Sequence, residues 1–167
     1  MRHSIYRKIV HFIGLPKLSS DLQRTITTAK ILSKALDIPV EEEPRLRETN
    51  NGDLAGMLHE DALKIYPGLF WNTLEMDERY PNGESPREFY LRIKMWFDDL
   101  MNRYQANEDD ILVVTHGGVI NIIYHILRGV EWSNQSKHFR ADNCSIHVLD
   151  TEIMDFVIEN KTDFLIE

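Results

Sequence analysis

The sequence predicts an α/β domain built on a largely parallel sheet, and three observations carry that reading. Short apolar runs alternate along the chain with longer stretches of helical periodicity. One run, Ile111-Leu-Val-Val-Thr115, is nearly all apolar, as in a central strand covered on both faces. The 167 residues, 43% hydrophobic and 28% charged, suit one domain with a full core, taken as residues 1–167.

Taken in order, Ser4 to Ile13 reads as a short helix, with Ile5, Ile9, Phe12 and Ile13 at helical spacing. Leu15 to Ser19 reads as a short strand, weakened by Pro16. Ser20 and Gln23 have the spacing of a capping box, and Leu22, Ile26, Ala29, Leu32 and Leu36 continue one apolar face behind them. Ile38 to Glu42 is the next strand, stopped by Pro44. From Arg45 to Gly83 the pattern is irregular, with turn signals at Asn50-Asn51-Gly52 and Tyr66-Pro67-Gly68. Phe70, Trp71 and Tyr80 in this stretch either cover a pocket or pin a surface excursion. Ser85-Pro86-Arg87-Glu88 opens the longest helix, whose buried stripe is Phe89, Ile93, Trp96, Leu100 and Tyr104. After the apolar strand and His116-Gly117-Gly118, a helix runs from Val119 to Arg128 and ends at Gly129. Ser145 to Leu149 and Asp155 to Glu159 alternate like the strands of a terminal hairpin.

Charge narrows the partners. Nineteen Lys and Arg against 27 Asp and Glu give a formal charge of -8, which disfavours nucleic acid and anionic membrane surfaces. A small phosphorylated metabolite remains compatible, because a local cationic pocket can exist on an acidic protein. The one cysteine, Cys144, allows no disulfide within the chain and suits a reducing cytoplasm. No apolar run reaches membrane-spanning length, and no signal peptide is read at the N-terminus.

Two places share a strand, tight turn, helix layout, and ligands of open α/β sheets gather beyond strand carboxyl ends. At the first, Arg24 lies one turn into its helix, where a guanidinium fork can hold two phosphate oxygens. At the second, His116 ends a buried strand, followed by Gly117 and Gly118, which let backbone approach a ligand. Other chemistries lack their motifs. No GxxxxGK[ST] loop or GxSxG elbow is present, and Asp150 stands where a cysteine-phosphatase loop needs arginine. His125, His138 and His147 show no metal-ligand spacing and read as surface or packing residues; neither metal nor cofactor is expected.

LSSDLQRTITTA (18–29), RLRETNNGDLAG (45–56), PNGES (81–85) and VVTHGG (113–118) occur in that order. Together they resemble the histidine phosphatase superfamily, in its phosphoglycerate mutase-like branch, from about residue 14 onward. The resemblance implies a three-layer α/β/α sandwich with a mixed, mainly parallel sheet. It implies a metal-independent phosphomonoesterase that moves a phosphoryl group onto a histidine and then to water. In that scheme Arg24 clamps phosphate, His116 and the Gly117 backbone bind phosphoryl oxygens, and Glu48 protonates the leaving alcohol. Gly52 and Gly56 bracket Asp53-Leu54-Ala55 here, where the family normally carries an aromatic-acidic pair.

The family opens with a strand ending Arg-His-Gly, whose histidine is the nucleophile. Here Arg2-His3 is the candidate pair, with Arg2 on phosphate and His3 as nucleophile. Its histidine lies only 21 positions before Arg24, and Ser4 stands where glycine is expected. Ser4 to Ile13 aligns better with the end of the family's first helix. The expectation is therefore a first strand that lies upstream, has been lost, or is replaced by the N-terminal segment. A chain without that histidine should hydrolyse p-nitrophenyl phosphate feebly or not at all. The alternative function is a pocket that binds phosphorylated ligands without turnover. An unfilled sheet position would also favour a homodimer through strand pairing. The variable segment Met57 to Tyr80 is expected to set the substrate.

Overall fold

The computed structural model describes residues 17–104, 110–136 and 138–165. The segment holding Arg2, His3 and the Ser4 to Ile13 helix lies outside them. The chain divides into two compact units, residues 1–47 with 98–116, and residues 48–97 with 117–167.

The first unit contains a three-stranded parallel sheet. Strand β1 (Lys17–Ser19) leads into helix α1 (Gln23–Leu36), and the chain returns as β2 (Val40–Glu42). This is the crossover that parallel pairing requires. Leu18 pairs with Glu41 on one side and with Val113 of β3 (Leu112–Val114) on the other. The order β2-β1-β3 reverses about the central strand, which is where open α/β sheets form their ligand crevice. Ile26 and Ala29 of α1 are buried, as the apolar periodicity requires, while Leu36 is exposed. The α1 backbone ends at Asp37, in left-handed conformation with φ 52°, and buried Ile38 follows. A 3-10 turn at Pro44–Leu46 stops the run of β2, as Pro44 predicts.

Two expectations need correction in this unit. Ser20 and Gln23 form no capping box: the helix N-cap is Leu22, without a side-chain cap bond. The Ser20 hydroxyl is engaged elsewhere, and the Gln23 amide donates to Thr27 Oγ1 at 3.0 Å. The apolar β3 is half-buried, not covered on both faces, and among the described residues it pairs with β1 alone.

In the second unit, 3-10 turns at Gly52–Leu54 and Trp71–Thr73 flank α2 (His59–Ile65), a seven-residue helix absent from the sequence expectations. Helix α3 (Pro86–Tyr104) begins here and enters the first unit after Phe97. Its predicted capping box is formed: Glu88 N–H donates to Ser85 Oγ at 3.2 Å, and Ser85 N–H to Glu88 Oε2 at 2.9 Å. Phe89, Ile93, Trp96 and Leu100 are its buried stripe. Helix α4 spans Gly117–Leu127, two residues longer at its start than expected, and is followed by Gly129 at φ 59°. Strands β4 (Ile146–Asp150) and β5 (Asp155–Lys161) form the predicted hairpin as a separate antiparallel pair. The antiparallel component of the expected mixed sheet is thus this hairpin; the three-stranded sheet is wholly parallel. Tyr124 of α4 stacks on Phe156 with ring centroids 3.9 Å apart, which anchors the hairpin's inner face.

Candidate active site

The carboxyl ends of β1 and β3 are neighbours in the sheet, so the residues that leave them meet. Ser20 follows β1, and its N–H donates to Val114 O at 3.0 Å. Thr115 and His116 follow β3, and Thr115 Oγ1 donates to Leu46 O at 3.0 Å. His116 is buried with its ring between two partners. Arg24 Nε donates to Nδ1 at 3.2 Å, and Nε2 lies 2.9 Å from Ser20 Oγ. Because Nδ1 accepts, the ring proton belongs on Nε2 and points to the serine oxygen. The side chain of Arg24 is therefore held at one nitrogen. Its two terminal nitrogens donate to none of the described residues. Seven other arginines, from Arg45 to Arg140, sit in ion pairs with carboxylates. Arg24 alone among these eight has no carboxylate partner among the described residues, and a guanidinium fork has the geometry to hold two oxygens of one oxyanion.

Asp21 at the start of this turn is not available to neutralise Arg24. Arg47 engages both of its oxygens, with Nε at 2.6 Å from Oδ1. That hydrogen bond holds the Asp21 carboxyl below the usual carboxylate range.

Glu48 lies in the other unit and is anchored there. Its Oε2 accepts the N–H of Gly118 at 3.1 Å, and its Oε1 accepts the N–H of Thr49 at 3.2 Å. Gly118 is in the first turn of α4, where backbone donors lack helical partners. The carboxylate thus caps the helix and is fixed by it. A Cβ at position 118 would stand 2.2 Å from Glu48 Oε1, whereas one at 117 would meet only Ala141 at ordinary contact distance. The absence of a side chain at 118 admits the approach of Glu48.

Of the residues singled out from sequence, Arg24 and His116 are in direct contact, and Glu48 is tied to the helix that Gly117 opens. Arg2 and His3 lie outside the described residues. Sequence reasoning missed Ser20 as a histidine partner and Gly118 as the carboxylate's seat. The first has a signal, a serine directly after a sheet strand, which the spacing of Ser20 and Gln23 masks as a helix cap. Among the described residues no group of three or more His, Cys, Asp or Glu side chains could hold a metal ion. No helix among them is long and apolar enough to cross a membrane.

Comparison with known proteins assigns the family. Residues 6–163 match the histidine phosphatase superfamily (branch 1). The chain belongs to that superfamily. Phosphoserine phosphatase 1 of Hydrogenobacter thermophilus is 31% identical over 136 residues, covering 80% of this chain and 63% of that protein. Phosphoglycerate mutase-like protein 4 of Arabidopsis thaliana is 33% identical over 114 residues, covering 66% of this chain and 49% of that protein. The chain thus spans less than two thirds of the length of these relatives. The crystal structure of the alpha-ribazole phosphatase from Shigella flexneri superposes with a TM-score of 0.71 at 25% identity, covering 88% of this chain and 73% of that one. The α/β class with a mainly parallel central sheet is therefore that of the histidine phosphatase fold. The superfamily match begins after Arg2 and His3.

Proposed function

We propose that the protein formed wholly or in part by this chain is a phosphomonoesterase, acting on small phosphorylated metabolites through a phosphohistidine. The observation that carries this reading is the Arg24 and His116 pair: a guanidinium fork without a described partner, beside a histidine of fixed tautomer. Arg24 binds two phosphoryl oxygens through its terminal nitrogens. The Nε2 proton of His116 moves from the Ser20 oxygen to a phosphoryl oxygen as charge gathers there. The Gly117 backbone adds a donor at the start of α4. Glu48, oriented by Gly118, gives its proton to the leaving alcohol and takes one from water in the second step. A histidine nucleophile receives the phosphoryl group. His3 is the candidate within this chain, and removing a nucleophile of this kind costs on the order of a million-fold in rate.

Hydrolysis of p-nitrophenyl phosphate, in buffer containing EDTA, is measured alongside calorimetric binding of inorganic phosphate. Binding that depends on Arg24 supports the pocket, and turnover that persists in EDTA supports the metal-independent reaction. Turnover unaffected by His3→Ala would move the nucleophile elsewhere. Phosphate affinity unchanged by Arg24→Ala would end the proposal.

A further inference from the structure

Asn121, one turn into α4, is buried, and its amide nitrogen and oxygen are both engaged. Its Oδ1 accepts the Phe139 N–H at 2.6 Å, and its Nδ2 donates to Phe139 O at 3.1 Å and to Gly117 O at 3.0 Å. The backbone donor and acceptor of Phe139 fix which end of the amide is nitrogen, so the bond to Gly117 O runs from Nδ2. Phe139 is itself firmly seated. Its ring stacks on Tyr124 with centroids 4.6 Å apart, under the Arg128 guanidinium at 4.7 Å. The amide grips this anchor with two bonds and gives its remaining N–H to Gly117 O.

Gly117 O belongs to the same peptide group as the N–H of Gly118, the donor that holds Glu48 Oε2 at 3.1 Å. The carbonyl and the N–H of one planar trans peptide point in opposite directions, so a bond that fixes the first fixes the second. This peptide lies between two glycines, where backbone rotation meets the least resistance, and an added side-chain bond counts for more there. A bond accepted at the carbonyl also polarises the group and strengthens its N–H as a donor. Asn121, Gly117, Gly118, Phe139 and Glu48 all lie in one compact unit. We infer that Asn121 is a positioning residue for Glu48, acting through the Gly117–Gly118 peptide. The inference rests on the phosphomonoesterase reading only for what the placed carboxyl does, which is to protonate a leaving alcohol.

The test uses Asn121→Leu, which keeps the volume and removes all three bonds, and Asn121→Ala, which leaves room for water to meet the Phe139 backbone. Glycerol 2-phosphate releases an alkoxide that needs a proton; p-nitrophenyl phosphate releases an acidic phenol that needs little. In both variants kcat for glycerol 2-phosphate should fall about tenfold, in the range that one hydrogen bond supplies, with KM and the p-nitrophenyl phosphate rate nearly unchanged. In a Glu48→Gln background the same substitutions should cost nothing further, because the carboxyl they displace is gone. Parallel losses on the two esters, or losses that add to that of Glu48→Gln, mark a structural role alone and would overturn the inference. Placement is also read without turnover, by nuclear magnetic resonance. The Gly118 amide proton, drawn downfield by its carboxylate partner, should move upfield in both variants, and the wild-type protein should show scalar coupling from Asn121 Nδ2 to the Gly117 carbonyl carbon. An unmoved Gly118 signal, or no such coupling, would overturn the inference and leave the phosphatase reading intact. Failure of the wild-type protein to turn over either ester, with both signatures present, would sink the phosphatase reading and leave Asn121 as the residue that places Glu48.

Discussion

The junctions where a strand gives way to a helix treat their polar groups in opposite ways. After β1, Ser20 makes no capping box: its hydroxyl accepts the N–H of Leu22 at 3.4 Å and lies 2.9 Å from the ring of His116. After β3, α4 starts at Gly117, and a distant carboxylate, Glu48, takes the N–H of Gly118. The first junction spends a natural cap on orienting a histidine. The second brings in an acid to serve as its cap, and so orients the acid. Each junction converts a local requirement of a helix N-terminus into the fixed position of a polar side chain. The chemistry that follows is different. One junction presents donors suited to a phosphoryl oxyanion, and the other a carboxyl suited to a leaving group.

That difference is broken most forcefully by Glu48→Gln. Turnover of an alkyl phosphomonoester should fall on the order of 10²- to 10⁴-fold, the usual worth of a general acid. Calorimetric affinity for inorganic phosphate should stay unchanged, and esters of acidic phenols, whose leaving groups need little protonation, should recover most of the rate. Equal losses for alkyl and aryl esters would show that Glu48 does not serve the leaving group. Arg24→Ala is the complementary experiment. Here kcat/KM should fall on the order of 10²- to 10³-fold for both ester types, with phosphate and vanadate affinity falling alongside. Arg24→Lys should restore little, because a point charge lacks the fork.

Gly118→Ala gives a smaller effect and tests the second junction alone. The new Cβ collides with the end of a flexible side chain, so the carboxylate swings aside at little cost in stability. The expected result is a roughly tenfold loss in turnover of alkyl esters, about 1.4 kcal/mol, with the thermal midpoint nearly unchanged. A large drop in midpoint with normal turnover would mean that the glycine serves packing and not the acid.

Features encoded within a few residues were legible in the sequence. The Ser85 and Glu88 capping box, the Gly129 helix stop and the terminal hairpin all depend on neighbours in the chain. The same pattern at Ser20 forms no box, because its hydroxyl also meets His116, 96 positions away. No local window can weigh a hydroxyl's bond to a nearby N–H against one to a ring on another strand. Arg24 and His116 were legible by residue type at strand ends. Their contact, and the choice of Gly118 over Gly117 as the glycine that Glu48 approaches, depend on pairing of distant segments. Helix α2 escaped because its seven residues bury no side chain fully and so leave no periodic stripe.

The smallest effect separates two histidines with the same hydrogen-bond pattern. His116 accepts at Nδ1 from Arg24 and sets Nε2 against Ser20; His147 accepts at Nδ1 from the Tyr124 hydroxyl at 3.0 Å and the Asn160 N–H at 3.3 Å, and sets Nε2 against Ser145. Around His147 the donors are uncharged and wholly occupied with packing the hairpin on α4. Burial holds its pKa below the ordinary 6.5, and burial pushes the Tyr124 phenol up to about 12. A proton on Nδ1 would remove the acceptor that both neighbours need. The unfolded chain therefore takes up this proton at a higher pH than the folded one, so the stability contributed by His147 is complete above pH 6.5 and declines as pH falls below it. The thermal midpoint should drop between pH 7 and pH 5, and the drop should be shallower in His147→Asn, which keeps an acceptor that does not titrate in this range. Identical slopes in the two proteins would remove His147 as the source. They would also show that this pattern around a histidine ring has no consequence for stability when the donors are neutral.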